Sequence, residues 1–319
     1  MRFKTEDTSL GSFFVKEARV SDDAGLNLYA EYCNAKRASV LLHPTYGAIA
    51  PPPIGYTGDA IRFKNLAGYK TAVPSLFFKD NRVRDNAIEL IEKIGSILAF
   101  IHSSDSDYLS QTEFPSSFPL PIDRYLDLNP AVLNLLKDLS SQTHTAINDL
   151  RESISSRSSS HCHIHGDFKP DNILFHGSEI QIVDWELAGQ GVPEHDFASF
   201  YAGIFTELVH RAVQPSIYSK EGTARNQLTS AVNSSILCTR WLISSYNKVG
   251  KPLLDISLLT QLIGAKLLAR TAMHSYINAG ASPFMRILQQ AAENCLCRPF
   301  SLSHLLSQPA HGKNTNALF

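Results

Sequence analysis

No stretch of the chain holds the roughly 18 consecutive apolar residues that a membrane-spanning helix requires, so no span is expected. The first residues, MRFKTEDTSLG, lack the apolar centre of a secretory leader, and a cytoplasmic protein is expected. Cysteine is sparse and odd in number: Cys33, Cys162, Cys238, Cys295 and Cys297. Five thiols in 319 residues do not make a disulfide framework. The C-x-C at Cys295 and Cys297 has no second pair, so buried thiols are expected there rather than zinc. An excess of one charge is missing as well. The net charge of −1 marks the chain neither as a nucleic-acid binder nor as a membrane-surface protein. There is no internal repeat.

The near-neutral sum hides a gradient. From residue 200 onward four acids (Glu207, Glu221, Asp255, Glu293) face eleven Lys and Arg, a local net of +7 that leaves −8 for the first 199 residues. A chain of this length can bury a large core, as one big domain or two modest ones.

Apolar periodicity sets the expected elements. SFFVKEARV (12–20) alternates like a half-buried strand. DDAGLNLYAEYCNAK (22–36) has a capping Asp and places Leu28, Tyr32 and Ala35 on one helical face. ASVLLH (38–43) is a short apolar run, read as a strand. The loop 48–59 carries three consecutive prolines. AIRFKNL (60–66) predicts another strand, and AGYKT an extended linker. NAIELIEKIGSILAFIHSS (86–104) is a strongly amphipathic helix, with Ile88, Ile91, Ile94, Leu98 and Ile101 recurring at helical spacing. Residues 105–130, rich in Ser, Pro and Asp, read as a long irregular insertion of the kind that often carries function. A second helix is expected over 130–154, a hairpin over 172–184, and helices from about 195 to 300. The tail 309–319 is polar and expected to fray.

The segment HCHIHGDFKPDNILF (161–175) carries the chemistry. His161, Cys162, His163 and His165 suggest a metal nest. On an extended run, however, the three histidines alternate with Cys162 and Ile164, and neighbours on a flat strand do not close a tetrahedron around zinc. The more informative residues follow. Gly166 and Pro170 keep the segment out of a helix. ILF and IQIV, separated by HGSE, form a hairpin that returns Asp184 toward Asn172. An Asp carboxylate and an Asn carbonyl are hard oxygen ligands suited to Mg²⁺. Asp167 can project into the same cleft as an acceptor for a hydroxyl proton, with Lys169 beside it. A base, metal ligands and a cation together describe phosphoryl transfer.

H-G-D-F-K-P-D-N followed by I-V-D-W-E resembles the catalytic and metal-binding loops of the aminoglycoside phosphotransferase and choline kinase group. These are small-molecule kinases with a protein-kinase-like fold. The helix ending in L-A-F-I-H-S resembles the one that precedes their substrate insertion. The resemblance implies an α+β, two-lobed fold: an abbreviated N-terminal lobe (1–66) for the nucleotide, a helical C-terminal lobe (67–308), and a tail (309–319). It implies ATP and Mg²⁺ as cofactors. Asp167 would be the catalytic base, and Lys169 would contact the transferred phosphate. Asn172 and Asp184 would be metal ligands. His165 would brace the loop, and Asp196 would hold its backbone. Lys16 would meet the α/β-phosphates with Glu31 as its partner. Lys64, Asn65 and Leu66, in FKNL, would form the hinge at the adenine.

The sequence departs from the family at the start, where Gly11 is the only glycine among the fifteen residues before Lys16. The family has two strands and a phosphate-covering loop there. A polycationic acceptor calls for an acidic pocket, whereas the helical half carries +7. The acceptor expected is therefore a small neutral or anionic alcohol. Two alternatives stay open: a Ser/Thr side chain of a peptide or biosynthetic precursor, and a kinase-shaped module without activity.

Overall fold

The computed structural model describes residues 2–8, 11–17, 24–47, 49–104, 139–157, 162–213, 221–249, 253–277 and 282–309. The insertion 105–130, His161 and residues 310–319 lie outside these.

Four strands open the chain, in the order β1-β2-β4-β3: β1 (Arg2–Thr8), β2 (Gly11–Glu17), β3 (Pro53–Tyr56) and β4 (Ala60–Lys64). All three pairings are antiparallel. Two strands therefore do precede the first helix, as in the family that the sequence resembles. β1 carries no apolar stripe that would reveal it in sequence. It is an edge strand dressed in charge, with Lys4 bridging Glu6 and Glu17, and such charge protects an edge from further pairing.

Helix α1 spans Ala24–Tyr46 and absorbs ASVLLH, which is therefore not a strand. Leu28, Ala35, Ala38 and Leu42 are all buried and recur at spacings of seven, three and four, so the apolar run continues one helical face. A six-residue apolar run cannot by itself distinguish strand from helix; the face it shares with the preceding turns decides.

The linker after β4 also gains structure. β5 (Lys70–Thr71) pairs with β7 (Ile173–His176), which pairs with β8 (Glu179–Ile182), forming a second sheet. β6 (Cys162–Ile164) and β9 (Gly189–Gly191) form a third, two-stranded one. Ile182 N–H donates to Ile49 O over 2.7 Å, tying the segment after α1 to the hairpin.

The helices are α2 (Ala72–Leu76), α3 (Ala87–Ser103), α4 (Ser141–Ser155), α5 (Glu194–Val213), α6 (Glu221–Val249), α7 (Ile256–Ile277), α8 (Pro283–Cys297) and α9 (Phe300–Ser307). α4 begins at Ser141, where Ser140 caps it by accepting from Thr143 N–H; the part of the expected helix at 130–138 lies outside the described residues. α5 is the central helix. Its residues from Glu194 to Thr206 are all buried, and it packs on both α6 and α7. A helix covered on every side belongs to the core. Among the described residues, no helix is long and apolar enough to cross a membrane.

Candidate active site

The loop that runs from His165 to Asn172 is held by one carboxylate. Asp196, wholly buried near the start of α5, accepts the backbone N–H groups of His165 and Gly166, each at 2.8 Å. His102, at the end of α3, brings Nε2 to within 3.1 Å of the same carboxylate. Burial alone would raise the Asp196 pKa; the bond from His102 and the nearby histidine charges outweigh it and bring it down to about 2. Gly166 lies at φ 82°, and a Cβ there would sit 2.0 Å from Leu187 O, so only glycine fits.

His165 bridges the two halves of the site. Its Nε2 lies 3.0 Å from Val183 O, and Asp167 N–H donates to its Nδ1 at 3.3 Å. These partners assign the proton to Nε2. The ring also packs on Trp185 and Phe168. His163 and His165 are both buried, and the described residues gather no metal-ligand group around them.

Asp167 stands at the mouth of the loop. Lys169 Nζ donates to its Oδ2 at 2.5 Å, and Asn172 Nδ2 donates to its backbone O at 2.9 Å and to Oδ2 at 3.3 Å. Burial opposes ionisation of Asp167, but Lys169, Lys266 and His165 hold its carboxyl below the usual range. Burial likewise disfavours a charged Lys169, and the Asp167 carboxylate more than offsets that. Asp167 is thus an ionised acceptor.

Asp184 follows β8 in a left-handed backbone, φ 66° and ψ 60°. Non-glycine residues rarely adopt this conformation, and such strain clusters at functional sites. The turn is fixed by Trp185 Nε1 donating to Ile182 O and by Asn34 Nδ2 donating to Trp185 O and Ala188 O. It aims the Asp184 carboxylate at Lys16.

Lys16 and Glu31 are both buried, 3% and 2% exposed. Lys16 Nζ lies 2.7 Å from Glu31 Oε2, 2.9 Å from Asp184 Oδ1 and 2.8 Å from Glu186 Oε2. Burial favours a neutral Lys16, but Asp184, Glu31 and Glu186 keep it charged. Burial pushes Glu31 up to about 7, with Asp184 and Glu186 acting in the same direction against Lys16. Glu31, Asp184 and Glu186 form the one group of three His, Cys, Asp or Glu side chains among the described residues whose ligand atoms lie within 4.8 Å of one another. Three carboxylates around one ammonium leave negative charge to be neutralised. Glu186 was given no role from the sequence, although it stands two residues after Asp184 in I-V-D-W-E.

Lys16, Glu31, Asn172 and Asp184 line a cavity of about 350 Å³. Its lining also includes Lys64, Asn65 and Leu66. Phe14, Phe63, Leu174 and Val183 supply apolar wall. Asn65 N–H donates to Ser12 O and Leu66 O accepts from Tyr69 N–H, so these two backbone groups of the expected hinge are engaged within the fold. Asp167 and Lys169 are not among the lining residues; Asn172 links them to it.

Residues 79–219 match the phosphotransferase enzyme family (APH). Acyl-CoA dehydrogenase family member 11 of Pongo abelii is 36% identical over 78 residues, which are 24% of this chain and 10% of that protein. The same protein of Rattus norvegicus is 42% identical over 82 residues, 25% of this chain and 10% of the other. The matched segment thus spans about a tenth of the length of these curated relatives. Among solved structures, choline kinase LicA from Streptococcus pneumoniae aligns at 14% identity over 92% of this chain and 89% of that one, with a TM-score of 0.51. A choline/ethanolamine kinase family protein from Mesorhizobium loti aligns at 15% identity over 93% and 83%, also with a TM-score of 0.51. The likeness to the aminoglycoside phosphotransferase and choline kinase group is therefore one of sequence over residues 79–219 and of protein-kinase-like fold over more than nine-tenths of the chain.

Proposed function

We propose that the chain moves the γ-phosphate of ATP to a hydroxyl group of a small molecule, with Mg²⁺ as the metal. Transfer to an alcohol is the chemistry the family match supports. The observation that carries the finer reading is a single cavity joining the 64–66 segment, the buried Lys16–Glu31 pair and the oxygens of Asn172 and Asp184, with Asp167 bonded to Asn172 at its edge.

The donor set suits the metal. Asp184 and Glu186 offer carboxylate oxygens; with the Asn172 amino group engaged by Asp167, the amide carbonyl is the atom left to offer. A bound Mg²⁺ would supply charge neutralisation on the phosphates. The chain's own residues do the rest. Phe14, Phe63, Leu174 and Val183 enclose an aromatic base, and Lys16 offers an ammonium to the phosphates. Asp167 accepts the proton of the attacking hydroxyl. The oxygen so freed forms its bond to the γ-phosphorus as the bond from that phosphorus to the β,γ-bridging oxygen breaks, and ADP leaves. Lys169 places a positive charge beside the transferred group, and the proton passes from Asp167 to solvent. The intact Asp167, Asn172 and Asp184 argue against a module without activity.

Purified protein incubated with Mg²⁺ and γ-labelled ATP, against pools of alcohols and of Ser/Thr peptides, tests this. Label should pass to a small alcohol and not with Asp184→Ala. Label on peptides alone would favour the peptide alternative. Transfer undiminished in Asp184→Ala would refute the metal assignment.

A further inference from the structure

Tyr246 takes no part in the chemistry above, yet its hydroxyl ends a chain of hydrogen bonds that starts beside Asp167. It stands near the end of α6 and is fully covered. Its Oη lies 3.1 Å from Nδ1 of His102, a buried residue in the last turn of α3. The other ring nitrogen, Nε2, lies 3.1 Å from Asp196 Oδ2. That oxygen accepts from His165 N–H, and Asp196 Oδ1 accepts from Gly166 N–H. Asp167 is the next residue. A continuous chain of hydrogen bonds thus joins α6 to the backbone that carries the proton acceptor.

The chemistry of the groups fixes the direction of the chain. Asp196 titrates at about 2, so it is ionised at neutral pH, and an ionised carboxylate only accepts. Nε2 of His102 therefore carries a proton, and a neutral ring then has a bare Nδ1. Burial pushes the Tyr246 phenol above its ordinary value, with Cys162, Glu194 and Asp196 acting in the same direction. The phenol keeps its proton and can donate it to Nδ1.

Two helices hold this geometry in register. A Cβ on Gly95 of α3 would lie 2.8 Å from Ser245 Cβ and 2.9 Å from Leu242 O, so the missing side chain lets α6 lie close. Ser245 Oγ donates to Glu92 O at 2.6 Å. Tyr246, the next residue, is thereby placed beside His102. Its ring meets those of His102 and Phe197 edge-on, with centroids 5.5 Å and 5.0 Å apart. Tyr246 does not line the cavity, so its route to the site runs through His102. With Nδ1 bonded, the imidazole is fixed at both ends and Nε2–H faces Asp196. Without that bond the ring can turn, and the carboxylate loses a fixed donor.

We propose that Tyr246 is a positioning residue for phosphoryl transfer: through His102 and Asp196 it fixes the backbone of His165 and Gly166, and so the place of Asp167. The inference rests on the kinase reading above.

The test compares Tyr246→Phe with Ser245→Ala, which removes the neighbouring bond to Glu92 O and leaves His102 untouched. ADP release from Mg-ATP is followed with the pool of small alcohols as acceptor. Tyr246→Phe should lower kcat by about threefold or more and leave KM for ATP within about twofold, because the lost bond acts on the loop and not on the nucleotide. Ser245→Ala should melt lower and keep kcat within about twofold. His102→Gln, whose amide can donate to Asp196 and accept from Tyr246, should retain more kcat than His102→Leu, which can do neither. Nitrogen NMR of protein labelled at histidine reads the ring with no substrate present. The His102 Nδ1 signal, identified by its loss in His102→Gln, should move in Tyr246→Phe while Nε2 stays protonated. An unmoved Nδ1, a smaller fall in kcat, an equal fall in Ser245→Ala, or equal activity in the two His102 variants would overturn the proposal and leave the kinase reading standing. If wild type releases no ADP from Mg-ATP, the kinase reading falls and the proposal falls with it.

Discussion

Asp196→Asn isolates the support of the catalytic loop from its chemistry. The carboxylate accepts three donors: His165 N–H, Gly166 N–H and His102 Nε2. An asparagine offers one oxygen and one amino group. Its oxygen can serve two of these donors; its amino group must then face the third in a fully buried site. A hydrogen bond to a charged group contributes about 1.5–3 kcal/mol, and a buried unsatisfied donor costs about 1–3 kcal/mol more. The sum is about 2.5–6 kcal/mol. With unfolding entropy near 2.1 cal/mol/K per residue, that lowers Tm by roughly 4–9 °C. The assay is differential scanning fluorimetry at pH 7, with the exposed Asp171→Asn as a control expected within about 0.5 kcal/mol of wild type. The sign of the pH dependence follows from the lowered pKa. Asp196 titrates at about 2 in the folded chain against a reference of 3.8, so its contribution is present above 3.8 and is lost as pH falls toward 2. Asp196→Asn should remove that acid-side loss. A Tm within 1 °C of wild type would refute the argument that this carboxylate holds the loop.

Three further outcomes are expected. Asp167→Asn should lower turnover by roughly 10²–10⁴, with little change in KM for ATP, in a steady-state coupled assay. Glu186→Gln should raise the Mg²⁺ concentration for half-maximal activity by about tenfold or more, on the scale of lost metal-site ligation; an unchanged Mg²⁺ dependence would remove Glu186 from the site. Gly166→Ala should fail to accumulate as folded protein or melt several degrees lower, because its Cβ would meet Leu187 O.

Local patterns carried much of this into the sequence. The helix 86–104 was legible because its isoleucines repeat at helical spacing, and α3 covers Ala87–Ser103. The hairpin was legible because HGSE separates two short apolar runs, and β7 and β8 pair across it. What stayed hidden depends on partners distant in the chain. β1 has no apolar face, and only pairing with β2 makes it a strand. ASVLLH joined α1 because its residues share a face with Leu28 and Ala35. Asn34 reads as one polar residue in a helix, yet it donates to carbonyls more than 150 residues away. Glu186 stood in plain sight; its signal was an acid two residues beyond Asp184, and its meaning came from the Lys16 ammonium that both carboxylates share.

The central claim is that the cavity between Lys16, Asn172 and Asp184 binds a metal nucleotide. Isothermal titration of ATP into the protein, with Mg²⁺ and with EDTA, tests it most directly. Wild type should bind ATP with Mg²⁺ and lose at least about tenfold in affinity without it, and Asp184→Ala should bind weakly in both conditions. Binding that is equal with and without Mg²⁺, or an Asp184→Ala titration that matches wild type, would contradict the account.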